Sequence, residues 1–537
     1  MRLFIAEKPN LGKAIARGLG GGRTEQGCIR CGDNIVTWCF GHLLEPAYPE
    51  AYCPEYAQWR REHLPIIPSS WKYVVKRSSK AQLDTIGKLL RDAASVVHAG
   101  DPDREGQLLV DEVLEHFRYR GPVFRIWLPS LDDRSVSIAL GNITDNAANA
   151  PLRDAARARM MADWLVGINA TRALTITGRE NGRTEVLSLG RVQTPTLALV
   201  VARDREIAHF KPSDYFVLRA SIIHPHGECS VTFVPSDSQD GLDSSGRLVD
   251  LAQVAAVLES VNGKEGTVLE ALREKKTSPA PLPHCLSSLQ KSASARLGMS
   301  AKRVLDVAQS LYEKKLCTYP RTDSQYLSDD MEETAKAVIG AVYQAILFEE
   351  QTGAEPDIKR VLNSKKVTDH HAIIPTIEIT KTDLSAVPEG EMKILSLVAN
   401  RLLCATGKKQ LYETVKAEFS CGGYSFHVSG KTVLQNGWKE FEAALKRTYR
   451  VEKTDEDKEE KKLPELSEGM TFPVIQTKVT EQFTQPPKHF TEDSLLSAME
   501  RAGAEDMGDE VERKGLGTPA TRADIIEKLV KDGFVKR

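Results

Sequence analysis

Ser95-Val-Val-His-Ala-Gly-Asp101-Pro-Asp103-Arg-Glu105-Gly106-Gln-Leu-Leu-Val-Asp-Glu-Val-Leu-Glu-His-Phe117 packs a strand, an acidic turn and a helix into one stretch. Ser95 to Ala99 is an apolar run of strand length, and Gly100 to Gly106 reads as a turn. From Gln107 to Phe117, Leu109, Val113 and Phe117 recur at the spacing of one helix face. The chain start repeats the pattern. Arg2 to Ala6 is a short apolar run, Asn10 to Leu19 carries Leu11, Ile15 and Leu19 at helical spacing, and Gly20, Gly21 and Gly22 stop that helix. Strands alternating with helices predict an α/β domain with a mainly parallel sheet. Ligands in such sheets collect at the carboxyl ends of the strands, and Asp101, Asp103 and Glu105 follow such an end. Glu7 ends the first strand and could reach the same edge. Three carboxylates at alternate positions can converge in the turn as hard oxygen ligands for magnesium. Equally, they can be a plain acidic turn whose charges favour a helix start.

Further along, Ala155 to Ala173 and Gln193 to about Glu206 read as helices, and about Tyr215 to Leu272 as strands. Helices return from Leu286 to Leu316, where Ser300 is a plausible N-cap and Val304, Ala308 and Leu311 share a buried face. Strand-like text reappears from about Thr414 to Val433, and the almost wholly charged run Glu452 to Glu465 reads as an exposed linker. At 537 residues the length suggests three or four domains, by a prior of roughly 150 residues each. The interleaved order of helices and strands points to domains built from discontinuous segments.

A hydrophobic fraction of 41% and a charged fraction of 27% are those of a folded protein and exclude a disordered chain. No run is apolar enough to cross a bilayer and the N-terminus lacks the form of a signal peptide, so a cytoplasmic protein is expected. The net charge of -2 means that any nucleic-acid binding must rest on local basic surfaces. Pro151 to Ser213 is one candidate, with ten Arg or Lys against six Asp or Glu, although such an excess also suits a solvated helix face. Nine scattered cysteines read as free thiols. Cys28 and Cys31 form a CxxC with no partner pair at zinc-ribbon spacing, so strand or hairpin positions are expected and no zinc.

The second chemical signal is Cys317-Thr-Tyr319-Pro-Arg321-Thr-Asp-Ser324, after the predicted helix. A phenol has a reference pKa of about 10 and needs help to act as a nucleophile near neutrality. Arg321, two residues on, is suited to hold a phosphate beside Tyr319, while the competing reading is a tyrosine that merely packs.

Glu7-Lys8-Pro9 after the first strand, Asp101 to Gly106, and Thr318-Tyr-Pro-Arg-Thr-Asp323 together resemble, in content and order, the type IA DNA topoisomerases. Ser188-Leu-Gly-Arg-Val-Gln-Thr-Pro195, Asp369-His-His-Ala-Ile-Ile-Pro-Thr376 and Gly515-Leu-Gly-Thr-Pro-Ala-Thr-Arg522 extend the resemblance over essentially the whole chain, toward the topoisomerase III branch. The resemblance implies a multi-domain α/β plus α and β fold, with an N-terminal Toprim domain in a four-domain toroid of discontinuous domains. The expected division is 1–150 as Toprim domain and 151–213 with 480–537 as helical strand-binding domain. Residues 214–278 with 410–479 would form a β-rich arch or hinge, and 279–409 would carry Tyr319.

The implied activity is ATP-independent cleavage of one DNA strand through a 5′-phosphotyrosine, passage of a strand, and religation. Negatively supercoiled DNA would be relaxed, with decatenation a further capacity. Tyr319 is then the nucleophile, Arg321 holds the scissile phosphate, and Lys8 is the cation at the phosphate or leaving oxygen. Glu7 assists proton transfer at the 3′-oxygen and contacts metal. His370 supports cleavage, and His371 is structural. Asp101, Asp103 and Glu105 map onto the magnesium site. Strand contacts fall to Arg159, Ser188, Arg191, Gln193, Thr518 and Arg522, although Thr518-Pro519 is also a good helix start. Implied partners are single-stranded DNA, a single-stranded-DNA-binding protein and a RecQ-type helicase, around a monomer associated with the nucleoid.

Asn10 stands where many relatives have Ser, compatible with a helix cap. Ala502 to Lys514 is short and acidic where some topoisomerase III proteins carry a basic loop, which argues against strong decatenation. The end at Arg537 suggests a truncated or minimal form. The rivals are a Toprim nuclease or primase, which has no use for Tyr319 and Arg321, and a non-catalytic single-strand binder, to which the acidic cluster is surplus.

Overall fold

The structure is a computed structural model that describes residues 1–128, 131, 133–224, 227–236, 238–346, 348, 355–367, 370–449, 463–505 and 515–537. Asp369, most of the charged run 452–465 and residues 506–514 of the acidic segment lie outside the described residues.

The N-terminal unit is built on a seven-stranded sheet. Its order is Arg23–Glu25, Cys28–Cys31, Asn34–Trp38, Arg2–Ala6, Ser95–Ala99, Val123–Arg125 and Thr144–Asp145. The central strands run parallel, with Ala6 opposite both Trp38 and Ala99, and antiparallel strands close the two edges. Leu3, Phe4, Ile5, Val96 and Val97 are almost wholly buried, because helices cover both faces of a parallel sheet and its central strands have no wet side. Cys28 and Cys31 are buried strand residues, and all nine cysteines are free thiols. Asn10 is not the cap of the first helix, Pro9–Gly18; Lys8 takes that place and Asn10 donates to Glu313 at 3.1 Å.

A closed six-stranded barrel, ordered Asp214–His224, Gly227–Val234, Tyr424–Gln435, Gln410–Cys421, Glu265–Ser278 and Thr471–Phe483, is made from two separated segments of chain. The reading of about 215–272 as strands needs correction, since Leu251–Val261 is an α-helix with Val254, Val257 and Val261 buried. Its apolar residues fall three and four apart, a helical period hidden inside a β-rich context.

Ser278 pairs with Gln410, so residues 279–409 form an insertion hung from one end of a two-stranded ribbon. That insertion packs helices Leu286–Leu297, Ala301–Glu313, Glu332–Ala345 and Glu389–Thr406 into one core. Ser300 caps Ala301–Glu313 by accepting from the Arg303 N–H, and Val304, Ala308 and Leu311 are buried. The helix Lys439–Tyr449 follows a barrel strand, yet Phe441, Ala444 and Leu445 sit in this helical core with Trp438. Two helices from mid-chain, Ala150–Glu180 and Gln193–His209, complete the architecture with two from the end, Glu492–Arg501 and Pro519–Lys531. Among the described residues no helix is long and apolar enough to cross a membrane.

Candidate active site

Two parallel strands, Arg2–Ala6 and Ser95–Ala99, end side by side, and the chain then folds the acidic turn over them. The Glu7 N–H donates to the Ala99 carbonyl at 3.2 Å, and the Asp101 N–H donates to Glu7 Oε2 at 3.0 Å. Gly100 and Gly106 permit this closeness: a Cβ on Gly100 would lie 2.2 Å from the Gly106 carbonyl oxygen, and one on Gly106 would lie 2.3 Å from that of Asp101. Asp103 caps the helix Arg104–His116, accepting from the Gly106 N–H at 2.7 Å. Lys8 Nζ lies 2.8 Å from Asp101 Oδ2 and 3.2 Å from Glu7 Oε1.

Onto this edge the inserted helical unit lowers Tyr319. The side chain is 1% exposed and stands with Tyr312 among the core residues of the N-terminal unit. Its hydroxyl donates to Asp103 Oδ2 at 3.0 Å and Asp101 Oδ2 at 3.3 Å. Tyr312 packs edge-on at 5.3 Å between ring centroids, and the His370 ring lies at 4.5 Å. The threonines of the motif tie it down: Thr318 Oγ1 donates to the Ala372 carbonyl at 3.2 Å and Thr322 Oγ1 to that of His370 at 3.0 Å. Thus the Tyr319 and His370 segments, far apart in sequence, are laced to each other beside the sheet edge. Arg321 lines a cleft of about 460 Å³ with Asp103, Glu105, Arg159, Arg191 and Thr518.

Burial sets the protonation states. Glu7 is raised to about 7 by desolvation and then by the nearby Asp101 and Asp103 charges. Asp103 is raised for the same reasons, burial and Asp101. For Asp101 burial pushes upward, but Lys8 and Arg321 outweigh it and hold the carboxyl below its ordinary value. Lys8 is likewise pulled down by burial and lifted further by Asp101 and Glu7, so it stays an ammonium. The Tyr319 phenol is pushed well above 10 by burial, Asp101 and Asp103, with Arg321 opposing. His370 is lowered to about 3, first by burial, so its ring is neutral. Neither of its nitrogens makes a well-formed hydrogen bond, although the Pro102 carbonyl lies close enough to favour the charged form.

A DNA topoisomerase family model matches residues 147–537, and a Toprim domain model matches residues 2–131. DNA topoisomerase 3 of Vibrio cholerae is 40% identical over 561 residues, spanning 100% of this chain and 84% of that protein. The corresponding protein of Haemophilus influenzae is 40% identical, spanning 100% and 85%. That of Bacillus subtilis is 37% identical, spanning 100% and 73%. This chain belongs to the type IA DNA topoisomerase family. The fold agrees: topoisomerase I from Thermotoga maritima matches with a TM-score of 0.70 at 22% identity, over 100% of this chain and 79% of that one.

In this topoisomerase the convergence expected of three carboxylates in the turn is not formed. Asp101 and Asp103 meet at Tyr319, but Glu105 turns toward His42 Nε2 at 3.8 Å and Arg159 at 3.6 Å. Among the described residues no three His, Cys, Asp or Glu groups gather as a metal cage. The pair Asp101 and Asp103, beside Glu7, nonetheless fits magnesium, which binds through one or two carboxylates and completes its shell with water and phosphate.

The expected strand contacts divide. Arg159 lines the cleft and donates to Thr521 Oγ1 at 2.6 Å, and Arg191 pairs with Asp163 at 2.8 Å. Gln193 donates to Ser188 Oγ at 3.3 Å and accepts from Lys528 at 2.8 Å. Thr518 lines the cleft and also caps Pro519–Lys531. Arg522 is buried, donating to the Leu516 carbonyl at 2.8 Å and to Glu500 at 3.2 Å. The resemblance makes Arg522 a strand contact, and in the structure the partners it holds are protein groups. His371 is buried with Nδ1 2.8 Å from the Ala372 carbonyl.

Sequence reasoning missed four residues around the site: His98, Arg125, His42 and Tyr312. His42 bridges Glu112 at 2.8 Å and Glu105, whose hydrogen bonds raise it to about 10 against the pull of burial. A single arginine or histidine at a strand end carries no local mark of burial. Tyr312, seven residues before Tyr319 and on the buried face of a predicted helix, was the one that helical spacing alone made findable.

Proposed function

We propose that Tyr319 is the nucleophile of a strand-cleaving and strand-rejoining reaction at the Toprim sheet edge, and that the protein relaxes negatively supercoiled DNA. The observation that carries this reading is the Tyr319 hydroxyl donated to Asp103 and Asp101, more than two hundred residues away in the chain. A nuclease or primase built on the same acidic edge has no need of a phenol there.

The reaction follows from the groups present. Tyr319 Oη attacks the phosphorus as its proton passes toward Asp103, the acceptor at 3.0 Å. The bond from phosphorus to the 3′-oxygen breaks, and that oxygen takes a proton from Glu7, whose value near 7 leaves it part-protonated at neutrality. The products are a 5′-phosphotyrosine and a free 3′-hydroxyl, and the stored ester lets religation run without ATP. Lys8 and Arg321 supply fixed positive charge to the phosphoryl oxygens. Magnesium would be held by Asp101 and Asp103 with Glu7 near by, and when bound it supplies further positive charge against the phosphate. His370, neutral and packed on the phenol, orients it.

For the cleaved strand to part, the unit 279–409 carries Tyr319 away from the sheet edge on the ribbon that ends at Ser278 and Gln410. We propose that it moves with Lys439–Tyr449, which shares its core, against a Toprim unit 1–150, a barrel from 214–278 and 410–479, and helices from 151–213 and 480–537. Arg159, Arg191, Ser188, Gln193 and Thr518 would contact the bound strand.

The test is to trap the covalent adduct on a single-stranded oligonucleotide and locate the modified residue by mass spectrometry. Tyr319 is the expected site, with no adduct in Tyr319→Phe. An adduct elsewhere, or complete plasmid relaxation by Tyr319→Phe, would end this reading.

A further inference from the structure

Among the described residues, the largest side chain buried essentially to zero exposure is Arg125, an arginine that the proposed reaction does not use. It ends the strand next to Ser95–Ala99, beneath the acidic turn. Among the described residues its guanidinium forms no ion pair with a carboxylate and instead holds backbone. Nη1 donates to the Gly100 carbonyl at 2.9 Å, the Ile126 carbonyl at 2.7 Å and the His98 carbonyl at 3.2 Å, while Nη2 donates to the Asp101 carbonyl at 2.9 Å. Nε donates to Gln107 Oε1 at 2.9 Å, and Gln107 is itself held, donating to Asp111 Oδ2 at 2.8 Å and Asn146 Oδ1 at 2.9 Å.

His98, also wholly buried, completes the clamp. Its Nδ1 accepts from the Gly100 N–H at 3.2 Å, which leaves the proton on Nε2 to be donated to the Gln107 carbonyl at 3.0 Å. Burial keeps this ring neutral, as the tautomer requires. Both backbone groups of Gly100 and the carbonyl of Asp101 are therefore bound by two side chains that never touch Tyr319.

An ionised guanidinium sealed from water is costly unless its donors are matched, and a strand core needs no such group. We infer that Arg125, with His98 and Gln107, is a positioning device that fixes the backbone of Gly100 and Asp101, and so sets where the Asp101 and Asp103 carboxylates meet the phenol. The guanidinium serves by its forked shape, because one ammonium cannot span carbonyls of Gly100, Asp101 and Ile126 together. This inference rests on the sheet edge being the cleavage centre.

Arg125→Lys keeps the charge and loses the fork, and Gln107→Met removes the acceptor that orients Nε together with the amide donor to Asp111 and Asn146. The assay is single-turnover cleavage of a single-stranded oligonucleotide, with oligonucleotide affinity and thermal unfolding measured on the same preparations. The expected result is a fall of about a hundredfold in the cleavage rate for Arg125→Lys, as for an ångström-scale misplacement of reacting groups. A smaller fall is expected for Gln107→Met. Oligonucleotide affinity should stay within about twofold in both, since no strand-contacting residue is altered, a split that general loss of structure would not produce. Wild-type cleavage by Arg125→Lys, or equal losses of affinity and rate in Gln107→Met, overturns the proposal. Tyr319→Phe run alongside separates the two levels: if it still forms the adduct, the cleavage centre itself is wrong.

Discussion

Gly106→Ala offers a one-methyl test of how tightly the acidic turn must be held. The new Cβ would meet the Asp101 carbonyl oxygen at 2.3 Å, the Asp101 nitrogen at 2.7 Å and Glu7 Oε2 at 2.8 Å. Carbon and carbonyl oxygen settle no closer than about 3.3 Å, so the turn or the helix must yield by about 1 Å. The Asp101 carbonyl cannot yield alone, because Arg125 Nη2 holds it at 2.9 Å. Two stability effects oppose: alanine gains about 0.8–1 kcal/mol over glycine as a helix residue, and overpacking costs about 1–3 kcal/mol. Net destabilisation is thus at most about 2 kcal/mol, small for a chain of this size. Catalysis has no such compensation, and a 1 Å displacement of the carboxylates costs about a hundredfold in rate. Single-turnover cleavage of an oligonucleotide, paired with a thermal melt, should therefore show a large kinetic loss beside a small shift in melting temperature. Cleavage within threefold of wild type would mean that the turn does not need its observed closeness to Glu7.

Further outcomes follow from the same geometry. With Glu7 near 7 and required as a proton donor, the cleavage rate should fall above about pH 7 as Glu7 ionises, and fall again in acid as Asp103, the proton acceptor, is protonated. Glu7→Gln should be slow and lack the alkaline limb, and that limb retained in the variant would assign it to another group. Asp101→Asn with Asp103→Asn should abolish magnesium-dependent relaxation of supercoiled plasmid; full relaxation by the double variant would remove both from the metal site. His284 is buried and held well below its ordinary value by desolvation, with Arg401 and Arg296 adding to it. The unfolded chain takes up that proton first, so stability is full above about pH 6.5 and declines below it by up to about 1.4 kcal/mol per pH unit. His284→Gln should make this acid limb shallower in thermal unfolding, with His98 and His370 keeping their share, and an unaltered limb would contradict the assignment. Glu500 accepts from Ser287 and Lys291 of the inserted unit and from Arg522 of the C-terminal helices. Glu500→Gln should loosen that junction by about 1–2 kcal/mol after allowance for its partial exposure, seen as faster hydrogen exchange over Leu286–Leu297. Unchanged exchange there would show that the apolar contacts alone keep the units together.

Local sequence determined the parts of this protein whose physics is local. Periodicity placed the strands Arg2–Ala6 and Ser95–Ala99 and the helix after the acidic turn, because burial on a sheet or a helix face writes itself into residue spacing. Ser300 and Thr518 declared two helix starts, since capping involves only neighbours. Motif order was enough for the family, and pointed to Tyr319 and the acidic turn as its centre. Only the tertiary structure decided which groups share that centre. The meeting of Tyr319 with Asp101 and Asp103 spans separate units, and no spacing encodes it. The turning of Glu105 to His42 and Arg159, and of Arg522 to Glu500, depends on partners that folding brings in from elsewhere. Arg125 is the clearest instance. Whether an arginine at a strand end is solvated or sealed in depends on what covers it, and here the cover is the acidic turn whose carbonyls it holds.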